Sequence, residues 1–285
     1  LLFINYKGDV VHKSLGYKAP KQLLTEGKRA NSPTINQETL ALSVNDGSAS
    51  PVDMLNFAYN QREAGKDFQE TITKYFASQE DRALLETRNW EAIQTFTDDA
   101  NSREFQYVIA KQKKFKKQYG EPAVDALLYT VLDRQLRDGI ANAETESVQQ
   151  ALSKATTLKD GGVIHARLKI LRAELTENWD DYAFKVINYF DKHTITDPEV
   201  LDHAARNFSL HLTDPVQLKM ALNWARQSTA LDNQAYNNET YARLFYRLGQ
   251  QTQALRYANK ALQIRMLNEE DTEELRQLIE EIQNM

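Results

Sequence analysis

The chain opens with two short, mainly apolar runs. Leu1-Leu2-Phe3-Ile4-Asn5-Tyr6 reads as a strand, Lys7-Gly8-Asp9 as a tight turn, and Val10-Val11-His12-Lys13-Ser14-Leu15-Gly16-Tyr17 as a second strand. Glycine supplies the backbone angles that a two-strand turn demands. Pro20 then opens a short helix, Lys21 to Ala30. From Thr34 onward glycine and proline become sparse and apolar residues recur every three to four positions, the period of a helix with one buried face. Pro51, Pro122, Pro198 and Pro215 follow Ser50, Glu121, Asp197 and Asp214, as expected at a first helical position, where the missing N–H would be unpaired anyway. Gly65, Gly120, Gly139 and Gly249 fall where helices are expected to end. The cleanest apolar run, Leu275, Leu278, Ile279 and Ile282, follows Glu269, Glu270 and Asp271, whose charges suit a helix N-terminus. This pattern predicts roughly ten to twelve helices joined by short turns.

Part of the helical region repeats. Ala221-Leu222-Asn223-Trp224-Ala225 and Ala254-Leu255-Arg256-Tyr257-Ala258 match at a spacing of 33 residues, the range of helical solenoids. Tyr236 to Ile264 is similar to a tetratricopeptide repeat. Phe245 takes the large aromatic position of the first helix, Gly249 the turn, and Ala254, Ala258 and Ala261-Leu262 the close-packing positions of the second, while Asn238 and Ala242 stand where the family has Trp and Gly. Asp197 to Asp232 follows the same outline more loosely, and Ser50 to Ser78 keeps the helix–Gly65–helix order.

The first thirty residues resemble the C-terminal end of a thioredoxin domain: apolar strand, Gly-acidic turn, second strand, amphipathic helix. That resemblance implies a cis-proline directly before Leu1 and a redox-active Cys-x-x-Cys further upstream. Arg88-Asn89-Trp90-Glu91-Ala92-Ile93 with Phe96, and Glu177-Asn178-Trp179-Asp180, resemble the helical extension of a group of Bacteroidetes secreted thioredoxin-like proteins. Trp90 and Trp179 read as packing anchors. The fold expected is therefore mainly α, a tetratricopeptide-like helical-repeat solenoid over 32–285 preceded by a partial thioredoxin-like β-hairpin plus helix over 1–31. A lone hairpin leaves a strand edge open, so self-association through that edge is expected.

Composition narrows the chemistry. The 35 Lys+Arg against 40 Asp+Glu leave a net charge of −5, which disfavours nucleic acid as the main partner. No run of apolar residues approaches the roughly 18 of a membrane span. With no cysteine, this chain has no thiol for disulfide exchange, so any redox centre lies outside it. None of the five histidines pairs with another at a helical metal-site spacing, so no metal site is expected, nor a cofactor or catalytic residue. Lys111-Gln112-Lys113-Lys114-Phe115-Lys116-Lys117 reads as a solvated helix end, and Lys159-Asp160-Gly161-Gly162 as an inter-helix loop.

The binding candidate is the inner face of the repeat pairs. Carrying the tetratricopeptide register from Ala254 places Tyr236, Glu239, Arg243, Tyr246 and Arg247 there, with His203 and Arg206 from the preceding pair. Arginine and tyrosine give large contact area with directed hydrogen bonds, and three arginines would suit an acidic segment or a C-terminal carboxylate. The bland alternative is that these side chains are solvated or serve their own fold. Two functions follow: a piece of a thiol–disulfide oxidoreductase whose helical extension selects protein partners, with a periplasmic or secreted location implied by the resemblance, or a non-catalytic helical scaffold that binds protein or peptide.

Overall fold

Two strands, sixteen α-helices and one 3₁₀ turn make up the described residues 1–8, 10–32, 36–158 and 161–285 of this computed structural model. Asp9 of the expected turn, Thr34 and the Lys159-Asp160 pair lie outside the described residues. The order is β1 (Leu2–Ile4), β2 (Val10–Lys13), α1 (Pro20–Ala30), α2 (Gln37–Asn45), α3 (Pro51–Glu63), α4 (Gln69–Ala77), the 3₁₀ turn (Asp81–Leu85), α5 (Thr87–Phe96), α6 (Arg103–Ala110), α7 (Gln112–Tyr119) and α8 (Glu121–Ala141). There follow α9 (Thr145–Thr157), α10 (Gly162–Leu175), α11 (Trp179–Lys192), α12 (Pro198–His211), α13 (Pro215–Leu231), α14 (Ala235–Arg247), α15 (Gln251–Leu267) and α16 (Glu273–Gln283). The chain is thus mainly helical with one small sheet. Its helices outnumber the ten to twelve expected because several, such as α6 and α7, are only 8 residues long, two turns whose period is hard to separate from a neighbour's.

The chain forms two compact units, Leu1–Gln135 and Leu136–Met285, and the division falls inside α8. In the first, β1 and β2 pair antiparallel with Leu2 opposite Lys13, Phe3 opposite His12 and Ile4 opposite Val10, the register shifting between Phe3 and Ile4. One face of the hairpin points inward. His12 and Ser14 are buried, whereas Leu2, Ile4 and Val10 are exposed. The hairpin is moored to the helices behind it. Leu15 N donates to Glu63 O (2.9 Å), and the Gln37 amide nitrogen bridges Lys13 O (3.1 Å) and Asn60 O (3.0 Å). Gly65 closes α3 at φ +65°, with Leu15 packed against the space a Cβ would need.

The first unit's core gathers Ile72, Tyr75, Leu84, Trp90, Ile93, Phe105 and Phe115. Trp90 stacks on Tyr119 at 5.0 Å, as an anchor should, and the Tyr75 hydroxyl donates to buried Asn89 Oδ1 at 2.6 Å. Lys116 of the basic run pairs with Glu121 (2.8 Å) and Asp125 (3.0 Å), so one of its charges is held within the fold. Proline begins α3, α12 and α13 behind Ser50, Asp197 and Asp214, whose side chains accept the first free N–H groups. Gly139 departs from expectation. It lies inside α8, where an added Cβ would stand 3.1 Å from Val148 N, so the glycine allows close approach of α9 and does not end a helix.

The second unit packs α12 to α16 around Ala204, Ala205, Phe208, Ala221, Trp224, Ala225, Tyr241, Phe245, Ala254, Ala258, Ala261 and Leu278. Alanines at the crossings let helix axes approach while the aromatics fill the space beside them. Phe208 meets Trp224 edge to face at 4.9 Å, and Phe245 stacks on Tyr257 at 5.6 Å. Trp179 lies flat on His211 at 3.6 Å and is only partly buried.

Candidate functional site

The face carrying the sequence-selected residues is formed by α12 and α14, which pack on each other. One hydrogen-bond chain aligns their starts. Ser228 Oγ donates to Pro198 O (2.8 Å), Asn237 Nδ2 donates to Ser228 Oγ (3.1 Å) and to Asp232 O (2.6 Å), and Asn237 Oδ1 accepts from Gln234 N (3.2 Å). Asn237 is fully buried, so this chain fixes the entry to α14 without help from water.

The seven selected residues do not form one open cluster. Arg247 spends both terminal nitrogens on Ser209 O (2.6 Å) and Leu212 O (2.7 Å), tying off the C-terminal carbonyls of α12. Arg243 and Arg265 close on buried Glu239 from two helices, at 2.8 and 2.7 Å. Tyr246 packs against the core of this unit. His203 is exposed and sits 2.8 Å from Glu174 Oε1, a hydrogen bond that raises its pKa above the ordinary imidazole value. Burial pushes the Glu174 carboxyl up, and the bonds from His203 and Asn207 outweigh it to leave that pKa lowered. Tyr236 is half-buried, its hydroxyl pKa raised first by burial and then by Asp232, Asp202, Glu199 and Asp197. Arg206, like Arg247, is exposed, whereas Arg243 is half-buried.

Two residues that the sequence did not single out are the least satisfied on this face. Asp202 is 6% exposed, its Oδ1 has no hydrogen-bond partner, and burial pushes its carboxyl up to about 6 despite a bond with the Thr240 side chain and the nearby charge of Arg206. Asn238 is fully buried with Oδ1 likewise unpartnered. Both are acceptors lacking donors. The face therefore asks for N–H or O–H groups, and two of the three arginines expected to draw an anion are already matched to acceptors of their own chain. Asp202 stands next to His203 in the sequence, but only the packing of α14 on α12 reveals that its carboxyl is buried.

Among the described residues, the single grouping of three histidine or carboxylate side chains that could hold a metal ion lies elsewhere, at His12, Glu26 and Glu63 of the first unit. No described helix is long and apolar enough to cross a membrane. No family model matches the chain, and no curated protein matches it.

Proposed function

We propose that the chain is a helical-repeat module that binds an extended segment of a partner protein on the α12–α14 face, with the Asp202 carboxylate at that face accepting hydrogen bonds from the ligand. The observation that carries this reading is the equivalence of the two 33-spaced segments. Ala221 and Ala254 are both fully buried, as are Ala225 and Ala258, while Leu222 and Leu255 are both half-buried. Successive helix pairs that pack through the same positions support a repeat array, and such arrays leave the first helices of each pair to line one surface. A carboxylate acceptor at that surface favours a ligand with donors. A basic segment supplies them, and the acidic side chains around Tyr236 favour its charge.

The test is a titration of two fluorescein-labelled peptides of equal length, one alternating Lys and Gly, the other Glu and Gly. The Lys peptide is expected to bind, more weakly as salt rises. Replacing Asp202 by Asn should weaken it by about tenfold, the order of a hydrogen bond to a charged partner. Binding of the Glu peptide alone, or of neither, would end this reading.

A second reading has its own support in the order strand, turn, strand, helix at the start of the chain, with Leu2, Ile4 and Val10 exposed on the hairpin. In it the module extends a thioredoxin-type oxidoreductase. The source gene would then encode a proline immediately before Leu1 and a Cys-x-x-Cys upstream, and a gene sequence without either removes it.

A further inference from the structure

His12, Glu26 and Glu63 belong to β2, α1 and α3, three elements that meet only in the folded chain. One ring nitrogen of His12 and one carboxylate oxygen from each glutamate lie within 4.8 Å of one another. His12 is 0% exposed and Glu26 4%. His12 Nε2 is 2.6 Å from Glu26 Oε2. Arg29 Nη1 lies 3.3 Å from Glu26 Oε1 and 3.6 Å from Glu63 Oε1. Glu63 Oε2 is left buried without a hydrogen-bond partner.

Two carboxylates brought this close repel each other, and Arg29 beside both offsets only part of that repulsion. A shared proton or a cation relieves that repulsion. The imidazole decides between them. It adds one nitrogen to two carboxylate oxygens, and that is an ordinary donor set for a borderline divalent metal.

We propose that His12, Glu26 and Glu63 bind a divalent transition-metal cation, with Zn²⁺ the best chemical match. The scaffold is suited to hold them. His12 is fixed by its pairing with Phe3 across the hairpin, Glu63 by the hydrogen bond from Leu15 N to its own carbonyl, and β2 is tied to α3 by the Gln37 bridge. The Glu63 side chain, 30% exposed, gives the ion a way in. Three protein ligands leave one position of a tetrahedral ion for water or an incoming ligand group.

The experiment takes the full chain, treated with EDTA and dialysed, through thermal melts and calorimetric titration with ZnCl₂ and, separately, MgCl₂ near neutral pH. Zn²⁺ should raise the melting temperature of the wild type by several degrees at saturating excess and release protons on binding. Mg²⁺ should leave it unchanged, since it prefers an octahedral shell of oxygen donors. Glu63→Gln keeps size and partial exposure, and should weaken Zn²⁺ binding at least tenfold. Independently of any variant, Zn²⁺ should shift the NMR signals of the His12 ring while sparing those of His165, His193, His203 and His211. An absent Zn²⁺ effect, an equal response to Mg²⁺, undiminished binding in Glu63→Gln or an unmoved His12 ring would each overturn the proposal.

Discussion

The Asp202 carboxyl faces the Thr240 side chain, Arg206, His203 and Glu239 from α12 and α14, and burial outweighs the cations among them. Its pKa in the folded chain, about 6, stands above the ordinary aspartate value of 3.8. Folding therefore favours the protonated form. The stability it contributes is fully present below the unfolded value and is lost as pH rises through about 6. His203, raised by Glu174, adds a loss of the same sign, so the effect of Asp202 must be read as a difference between proteins. Urea unfolding of wild type and Asp202→Asn at pH 5 and pH 7.5 provides it. The variant should gain roughly 1.4 kcal/mol relative to wild type between those two values. Parallel stabilities would show that the carboxyl is better solvated than its 6% exposure implies. Neither this residue nor the metal-binding trio was legible in the sequence. A spacing test finds ligands that share one helix; His12, Glu26 and Glu63 share none, and only three-dimensional closure brings them together. Arg243, its partner Glu239 and Arg247 were legible as members of one helix face, but the acceptors of Arg247, Ser209 O and Leu212 O, come from packing on α12 that the face alone does not disclose.

Elements were read more faithfully than residues, and the exceptions have a common cause. The hairpin, α1, the proline-led starts of α3, α12 and α13 and the amphipathic α16 all carry local signals: a turn glycine, a capping side chain, a single apolar stripe. Glycine misled where its reason was tertiary. Gly65 and Gly139 look alike in sequence, yet the first supplies a left-handed turn and the second clears space for a neighbouring backbone. Gly65 shows the energetic side. At φ +65° an alanine pays about 1 kcal/mol or more for the left-handed conformation, and its Cβ would stand 2.7 Å from Leu15 Cδ1. Leu15 is half-exposed and its tip can turn aside, so the conformational cost dominates. Gly65→Ala should destabilise the first unit by about 1–2 kcal/mol, measured by hydrogen exchange of the α3 and hairpin amides. No loss of protection would mean that the turn tolerates a side chain and that Leu15 alone determines how the hairpin meets α3.

At the scale of the molecule, the division between units lies where sequence offers no marker. Linkers betray themselves through proline, glycine and loss of period, but the boundary between Gln135 and Leu136 falls inside α8, whose apolar positions run on through Leu132 and Leu136 without a break. The shift in composition near residue 31 is the visible one, yet the hairpin packs with α2 and α3 in one compact unit. Each unit owns a separate core, so damage to one should be readable apart from the other. Tyr75 is a suitable probe. Its ring is buried and its hydroxyl donates to Asn89 Oδ1, whose amide nitrogen is already committed to Gln79 Oε1 and Ala83 O. Burial pushes the Tyr75 hydroxyl up to about 12, so it remains a donor across the ordinary pH range. Tyr75→Phe keeps the ring and removes the donor, stranding a buried acceptor at a cost of about 1–3 kcal/mol. Amides of α4 and α5 should then exchange faster by one to two orders of magnitude, while those of α12 to α15 keep their wild-type rates. Uniform acceleration along the chain would show that the two cores unfold as one, and that α8 couples them; acceleration confined to the first unit would establish the units as separate folding entities joined by a continuous helix.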